Sequence, residues 1–261
     1  MRVLVTGGNG YIAKSLTSAL GSKYDITSVT RQDFDLTDTR ATCNWFEDKY
    51  FDIVLHTAIV GGNRLKQDNS DVVDQNLMMY YNLLGNRECY CKFINFGSGA
   101  EQFQPHSPYG ISKKIIADSV SNTDKFYNLR IFGIFDENEL DRRFLKSNII
   151  QYISREPMAI HENKMMDFFY MEDLVSVVEY YIDNNILSKE VNCCYKEKYT
   201  LKNIAEMINN LNDYTVSIEL DDQRISDFYC GESILPPINI KGLQYGIQHT
   251  FDKLNKRIDL L

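Results

Sequence analysis

Tyr109 and Lys113, in "SPYGISKKIIAD" (residues 107–118), stand four residues apart where a helical apolar rhythm begins. On a helix that spacing sets both side chains on one face, one turn apart. A tyrosine of ordinary pKa ~10 is a poor base at neutral pH. An ammonium beside it favours the phenolate, so the pair can give a proton and take it back. The pair alone carries little weight, because a chain with 17 tyrosines will contain Tyr-x-x-x-Lys by chance. Its weight comes from Ser98, which ends the apolar run "CKFINFGS" with ten residues between it and Tyr109. The carboxyl end of a strand is where ligands bind in open α/β sheets, and a serine hydroxyl there can orient a reacting oxygen.

A second constellation lies at the start of the chain. "VTGGNGYIA" places Gly7, Gly10 and Ala13 at the spacing Gly-x-x-Gly-x-x-Gly/Ala, between an apolar run and a helical one. Gly7 permits the tight turn and Gly10 a close approach of a pyrophosphate. Asn9 sits in the turn, and Tyr11 and Ile12 open the helix whose unpaired N–H groups and dipole attract anions. The strand–turn–helix context is what this weak motif requires, and it predicts dinucleotide binding. The second strand ends in "SVTRQDFDLTD". Arg31 there can meet a 2′-phosphate bidentately. NADP(H) is therefore the expected cofactor, with Asp33 keeping NAD(H) as the alternative.

These residues need a scaffold, and the order of elements supplies one. "RVLVT", "YDITSVT", "FDIVLHTA", "CKFINFGS" and "KFYNLRIFGIF" read as strands alternating with helices through "YIAKSLTSAL", "TDTRATCNWFEDK", roughly 69–87 and "PYGISKKIIADSV". Such alternation implies right-handed crossovers and a parallel sheet covered on both faces. The expected fold is α/β, a Rossmann-type doubly wound parallel sheet with a smaller, interleaved C-terminal substrate lobe. The dinucleotide-binding domain is expected over 1–132 plus about 168–195, and the lobe over about 133–167 and 196–261. After residue 133 the sequence gives a helix near 141–154, strand-to-helix in "MDFFYMEDLVSVVEYYI", a strand in "EVNCC" and a helix near "LKNIAEMINNL".

Bulk composition removes several classes. With 261 residues, 25% charged and 44% hydrophobic, the chain is that of an ordinary globular protein. Its formal charge of −8 argues against a nucleic-acid partner. No apolar run approaches the ~20 residues a bilayer span needs, and "MRVLVTGGNG" has no signal-peptide pattern. The six cysteines form no Cys-x-x-Cys pair and the four histidines are far apart, so reduced thiols, no metal and a cytoplasmic location are expected.

Taken in order, "VTGGNGYIA", "DLTD", "LHTAIVGG", "NLMMYYNLL", "FINFGSGA", "PYGISK", "LRIFGIF" and "MDFFYMEDLV" resemble the extended short-chain dehydrogenase/reductase superfamily of nucleotide-sugar epimerases, dehydratases and reductases. The "VGG" and "NLMM" features, with the short passage from Arg31 into "DLTD", are most similar to the GDP-fucose synthase group and other 4-keto-6-deoxy sugar reductases. By that resemblance Ser98, Tyr109 and Lys113 form the catalytic set. Asp35 and Leu36 border the adenine, Ala58 lines the cofactor cleft, Lys113 also meets the cofactor, and Asn76 holds the active-site end of its helix. His56 is expected to be a packed residue. The substrate would be a nucleotide sugar and the assembly a homodimer, through the helices around Asn76 and after Tyr109.

The resemblance implies an NADP(H)-dependent reductase of a keto group on a nucleotide-linked 6-deoxy sugar. An NAD-dependent epimerase is the alternative, and a non-catalytic dinucleotide-binding protein a further one. Dehydration is disfavoured, because Ser98-Gly99-Ala100-Glu101 lacks the aspartate that the dehydratase branch carries. Glu101 is read either as a contact to sugar hydroxyls or as an exposed loop glutamate. Met166 stands where relatives carry an arginine, and Arg142, Arg143 or Lys146 is the candidate replacement, Arg143 first among them as a substrate contact.

Overall fold

The structure is a computed structural model that describes residues 1–62, 67–222 and 224–258. In chain order the elements begin β1 (Arg2–Thr6), α1 (Tyr11–Leu20), β2 (Asp25–Val29), α2 (Thr39–Phe46), β3 (Phe51–His56), α3 (Asp71–Gly85), β4 (Tyr90–Ser98), α4 (Ala100–Phe103), α5 (Pro108–Ser121) and β5 (Phe126–Ile131). They continue β6 (Ile134–Phe135), α6 (Phe144–Ile153), β7 (Met158–Ile160), β8 (Met165–Met166), β9 (Phe169–Tyr170), α7 (Met171–Asp183), β10 (Glu190–Cys193), α8 (Leu201–Asn209), β11 (Ile218–Leu220), β12 (Phe228–Tyr229) and α9 (Leu243–Ile258). The chain divides into two compact units, 1–130 with 178–191 and 131–177 with 192–261. Residues 168–177 thus go with the second unit.

The first unit is built on a six-stranded parallel sheet of order β10-β5-β4-β3-β1-β2. Val3, Leu4 and Val5 have no exposed surface, as a central parallel strand requires. Pairing runs Val3 to Ile26 on one side and Val3 to Ile53 on the other. The chain therefore leaves β1 in one direction and returns to its opposite side, creating a switch point above β1 where α/β sheets bind ligands. On one face a core gathers Val54, Tyr80, Phe93, Ile116 and Phe126. Phe93 and Phe126 stack with centroids 4.7 Å apart, within the roughly 4.5–7 Å usual for aromatic pairs. Met78 and Tyr81 on α3 and Ile115 on α5 remain exposed.

Side-chain caps mark the starts of α2 and α5. Asp38 accepts from the Ala41 N–H at 2.9 Å and starts α2. Ser107 accepts from the Gly110 N–H, with Pro108 in the first turn, and starts α5. The expected helix near 141 begins only at Phe144, since Arg143 has extended dihedrals (φ −77°, ψ 145°). The run expected as one strand, "KFYNLRIFGIF", divides into β5 and β6.

In the second unit, β6 pairs with β9, β7 with β11 and β8 with β12, each in parallel. Thr200 and Asn203 form a reciprocal capping box at the start of α8. Tyr152 stacks on Tyr214 at 4.6 Å and donates its hydroxyl to the Tyr214 carbonyl. Among the described residues no helix is long and apolar enough to cross a membrane, and no group of three or more His, Cys, Asp or Glu could hold a metal ion.

One buried cation stands out in the first unit. Lys92, on β4, donates to the carbonyls of Tyr181 (2.7 Å), Ile182 (3.0 Å) and Asn184 (2.8 Å), satisfying the last turn of α7. Burial pulls its ammonium below the usual lysine range. Lys92→Met keeps the volume and removes three donors, and should cost about 2 kcal/mol of stability. Urea unfolding with an unchanged midpoint would show that the cap contributes nothing.

Candidate active site

Gly7, Gly10, Arg31, Asp35, Leu36 and Ala58 line one cavity of about 230 Å³, at the carboxyl ends of β1, β2 and β3. Gly7 has φ +70°, and a Cβ there would stand 2.7 Å from the Ala58 Cα, so only glycine lets the turn close on the end of β3. Gly10 is the N-cap of α1 and makes no side-chain cap; the first turn holds no acidic residue. The positive end of α1 thus carries no acid of its own, and these features suit a dinucleotide pyrophosphate. Asn9 is exposed in the turn, and Tyr11 and Ile12 are half-buried at the helix start.

The turn after β2 sorts its charges. Asp33 accepts from the Thr30 N–H (2.7 Å) and hydroxyl (2.9 Å), which hold its carboxyl below the usual range. Asp35 accepts from the Thr37 N–H (2.9 Å) and hydroxyl (2.8 Å), and these, with Arg31 3.7 Å away, lower its pKa too. The Arg31 side chain is 66% exposed. Thr30, Phe34, Thr57, Val60 and Met79 also line the cavity, and the sequence reading missed them. Their signal was position alone, just past a strand end or on the next helix.

Ser98, Tyr109 and Lys113 come from the end of β4 and the first turns of α5. Gly110 makes this arrangement possible. A Cβ on it would lie 1.9 Å from the Gln104 carbonyl oxygen and 2.9 Å from that of Ala100, so a glycine lets α5 lie directly against the segment that follows Ser98. The Ser98 hydroxyl accepts from the Ala100 N–H at 3.2 Å, a use that leaves its proton for another oxygen. Lys113 is buried, donates to the Phe96 carbonyl at 2.5 Å, and has its ammonium 5.7 Å from the centre of the Tyr109 ring. Burial lowers its pKa to about 8, against the opposing pull of Glu101. Tyr109 is half-buried, and Gly62 approaches its ring so closely that a methyl there would sit 2.9 Å away.

Asn76 ties the loop to both helices. Its side chain accepts from the Val60 N–H (2.9 Å) and donates to the Val60 carbonyl (3.0 Å) and the Ser112 hydroxyl (3.0 Å). His56 is buried with Nδ1 2.9 Å from the Thr6 hydroxyl, and burial drives its pKa down to about 3. It is a neutral packed residue.

Two expectations need correcting. Glu101 is not an exposed loop residue: it is 3% exposed, and its carboxylate accepts from the Ser98 N–H, Arg130 and Asn128. Oxygens so engaged are not offered to sugar hydroxyls. Lys146 donates to the Glu139 carbonyl at 2.7 Å and pairs with Asp141 at 2.8 Å, so it is no spare cation. Arg142 and Arg143 are exposed in the second unit, Arg143 as the N-cap of α6.

Over 246 residues the chain is 26% identical to CDP-abequose synthase of Yersinia pseudotuberculosis, covering 84% of this chain and 87% of that protein. The fold is shared with the GDP-mannoheptose C4 reductase of Campylobacter jejuni with NADP bound (TM-score 0.81, 17% identity, 96% and 97% of the two chains). It is shared equally with the UDP-glucose 4-epimerase of Thermotoga maritima with UDP-glucose (TM-score 0.79, 16% identity, 99% and 100%). Residues 3–194 match the NAD dependent epimerase/dehydratase family, and the chain belongs to that family, as an NAD(P)-dependent enzyme of the extended short-chain dehydrogenase/reductase type.

Proposed function

We propose that the protein is an NADPH-dependent reductase of a keto group on a nucleotide-linked 6-deoxy sugar. The observation that carries the coenzyme choice is the turn after β2. Arg31 presents a largely exposed guanidinium at the cavity, while Asp33, the acid that would meet a ribose diol, is committed to Thr30. The substrate class is supported by the similarity to CDP-abequose synthase and by the shared fold of a GDP-mannoheptose C4 reductase.

When bound, the reduced nicotinamide supplies a hydride to the keto carbon. The chain's own part is the proton and its placement. Ser98 donates a hydrogen bond to the keto oxygen and orients it. Tyr109 gives that oxygen its proton as the charge develops, and the Lys113 ammonium stabilises the phenolate left behind. Gly7, Gly10 and the open end of α1 hold the diphosphate, and Asp35, Leu36 and Ala58 border the adenosine half.

The test is consumption of NADPH, followed at 340 nm, over a panel of 4-keto-6-deoxy nucleotide sugars. Turnover should appear with a member of the panel, and Tyr109→Phe should lower kcat by about 10²–10⁴-fold. A panel without turnover, together with tightly held NAD in the purified protein, would replace this reading by an epimerase. Arg31→Ala should weaken NADPH binding by about ten- to a hundredfold and leave NADH binding nearly unchanged; equal loss for both coenzymes would remove Arg31 from 2′-phosphate recognition. Reduction needs both Tyr109 and Lys113 protonated, and Lys113 has its pKa lowered to about 8. Accordingly kcat/KM, which reports groups of the free protein, should fall as pH rises through about 8, and a flat profile to pH 10 would contradict this assignment.

A further inference from the structure

We propose that Glu101 is a positioning residue: clamped by Arg130, it fixes the main chain of Ser98 and supplies the buried negative charge that keeps Lys113 an ammonium. The inference rests on the roles given above to Ser98, Tyr109 and Lys113.

Two opposite charges grip the end of β4. Lys113 donates to the carbonyl of Phe96 at 2.5 Å, and Glu101 Oε1 accepts from the N–H of Ser98 at 2.7 Å. Gly97 lies between them, and a Cβ there would come within 2.4 Å of Glu101 Oε1 and 2.5 Å of Asn128 Oδ1. The carboxylate has its place because that residue has no side chain. Arg130 Nε holds Glu101 Oε2 at 2.7 Å, and Asn128, itself fixed by Asn95 at 2.7 Å, donates to the same oxygen at 3.2 Å. Outward, Arg130 pairs with Glu190 at 2.9 Å, whose side chain is 38% exposed.

Packing alone does not call for this arrangement. A carboxylate with a side chain 1% exposed is expensive to desolvate, and an apolar residue of its size would fill the space at lower cost. What an apolar residue would lack is charge. Three titratable side chains act on or adjoin Lys113: Tyr109 from its own helix, Glu101 from α4 and His56 from β3. His56 is held neutral, and Glu101 is the acid among the three. Burial pulls Lys113 down and Glu101 pulls it back up. Glu101 in turn is pushed up by burial and drawn down by Arg130, the Ser98 N–H and Lys113. The row Lys113, Glu101, Arg130, Glu190 alternates in sign from the active site to the surface.

The test follows the ammonium directly, with neither substrate nor coenzyme present. In protein labelled with [ε-13C]lysine, the Lys113 signal, assigned with Lys113→Arg, is titrated by NMR in wild type, Glu101→Gln and Glu190→Gln. The kcat/KM profile is measured alongside. In E101Q both the Lys113 titration and the alkaline limb should move to lower pH by about one unit or more, with turnover at pH 8 lower by at least roughly fivefold and an unchanged KM for NADPH. E190Q disturbs the same ion row at its solvent end and should lower thermal stability while leaving the titration in place. An unmoved titration in E101Q, or an equal shift in E190Q, overturns the proposal. If E101Q does not fold, Glu101→Asp keeps the charge but draws it back from Ser98; kcat should fall while the titration stays within about half a unit, and an unchanged kcat is the overturning result. A loss of activity in Tyr109→Phe with an unmoved Lys113 titration in E101Q would sink this inference alone, and a failed substrate panel would leave the NMR result standing.

Discussion

A buried ammonium sets the terms for the rest of the site. Lys113 is enclosed beneath the first turns of α5 and donates to a strand carbonyl, so its charge must be supported by neighbours rather than solvent. That requirement draws in Glu101, and Glu101 needs Arg130. α5 packs against both β4 and α4, and Ser98 and Tyr109 are carried on the end of the strand and the first turn of the helix. The glycine at 110 is the steric counterpart of this electrostatic demand, since any side chain there would force α5 away from α4.

The end of β1, one strand beyond β3, answers the opposite problem. Where β4 offers a carbonyl to the Lys113 ammonium, the first turn of α1 holds no acid of its own, and the glycine turn closes against Ala58. Each acid after β2 is held by a threonine of its own turn, Asp33 by Thr30 and Asp35 by Thr37, and Asp35 shares the cavity with Arg31. The carboxyl ends of β1 and β2 therefore carry a site suited to a dianion and that of β4 a site suited to proton exchange, with β3 between them.

The parts of this arrangement that the sequence revealed are local. A glycine turn between a strand and a helix, and a serine, tyrosine and lysine spread over one strand end and one helix start, follow from spacing and periodicity. The burial of Glu101 was hidden because its partner stands 29 residues further on, in a strand that reads as apolar. Nothing in periodicity pairs charges at that distance. The helix α9 was missed because Gly246 interrupts its pattern; in the fold that glycine lies against Tyr170 and Phe135, where no larger residue fits. Strands of two and three residues, such as β8 and β12, are shorter than one period of any pattern and exist only because a distant partner lies alongside.

Asn76 shows what such coupling implies for tolerance to change. Towards Val60 it offers one donor and one acceptor, the same pair a backbone amide would present, so the loop is bonded as if it bordered a further strand. Aspartate would match the shape but lack the hydrogen, and glutamine would match the chemistry but overreach. A position in the middle of a helix, outwardly free to drift, is thereby confined to a single residue type by a stretch of coil sixteen places before it.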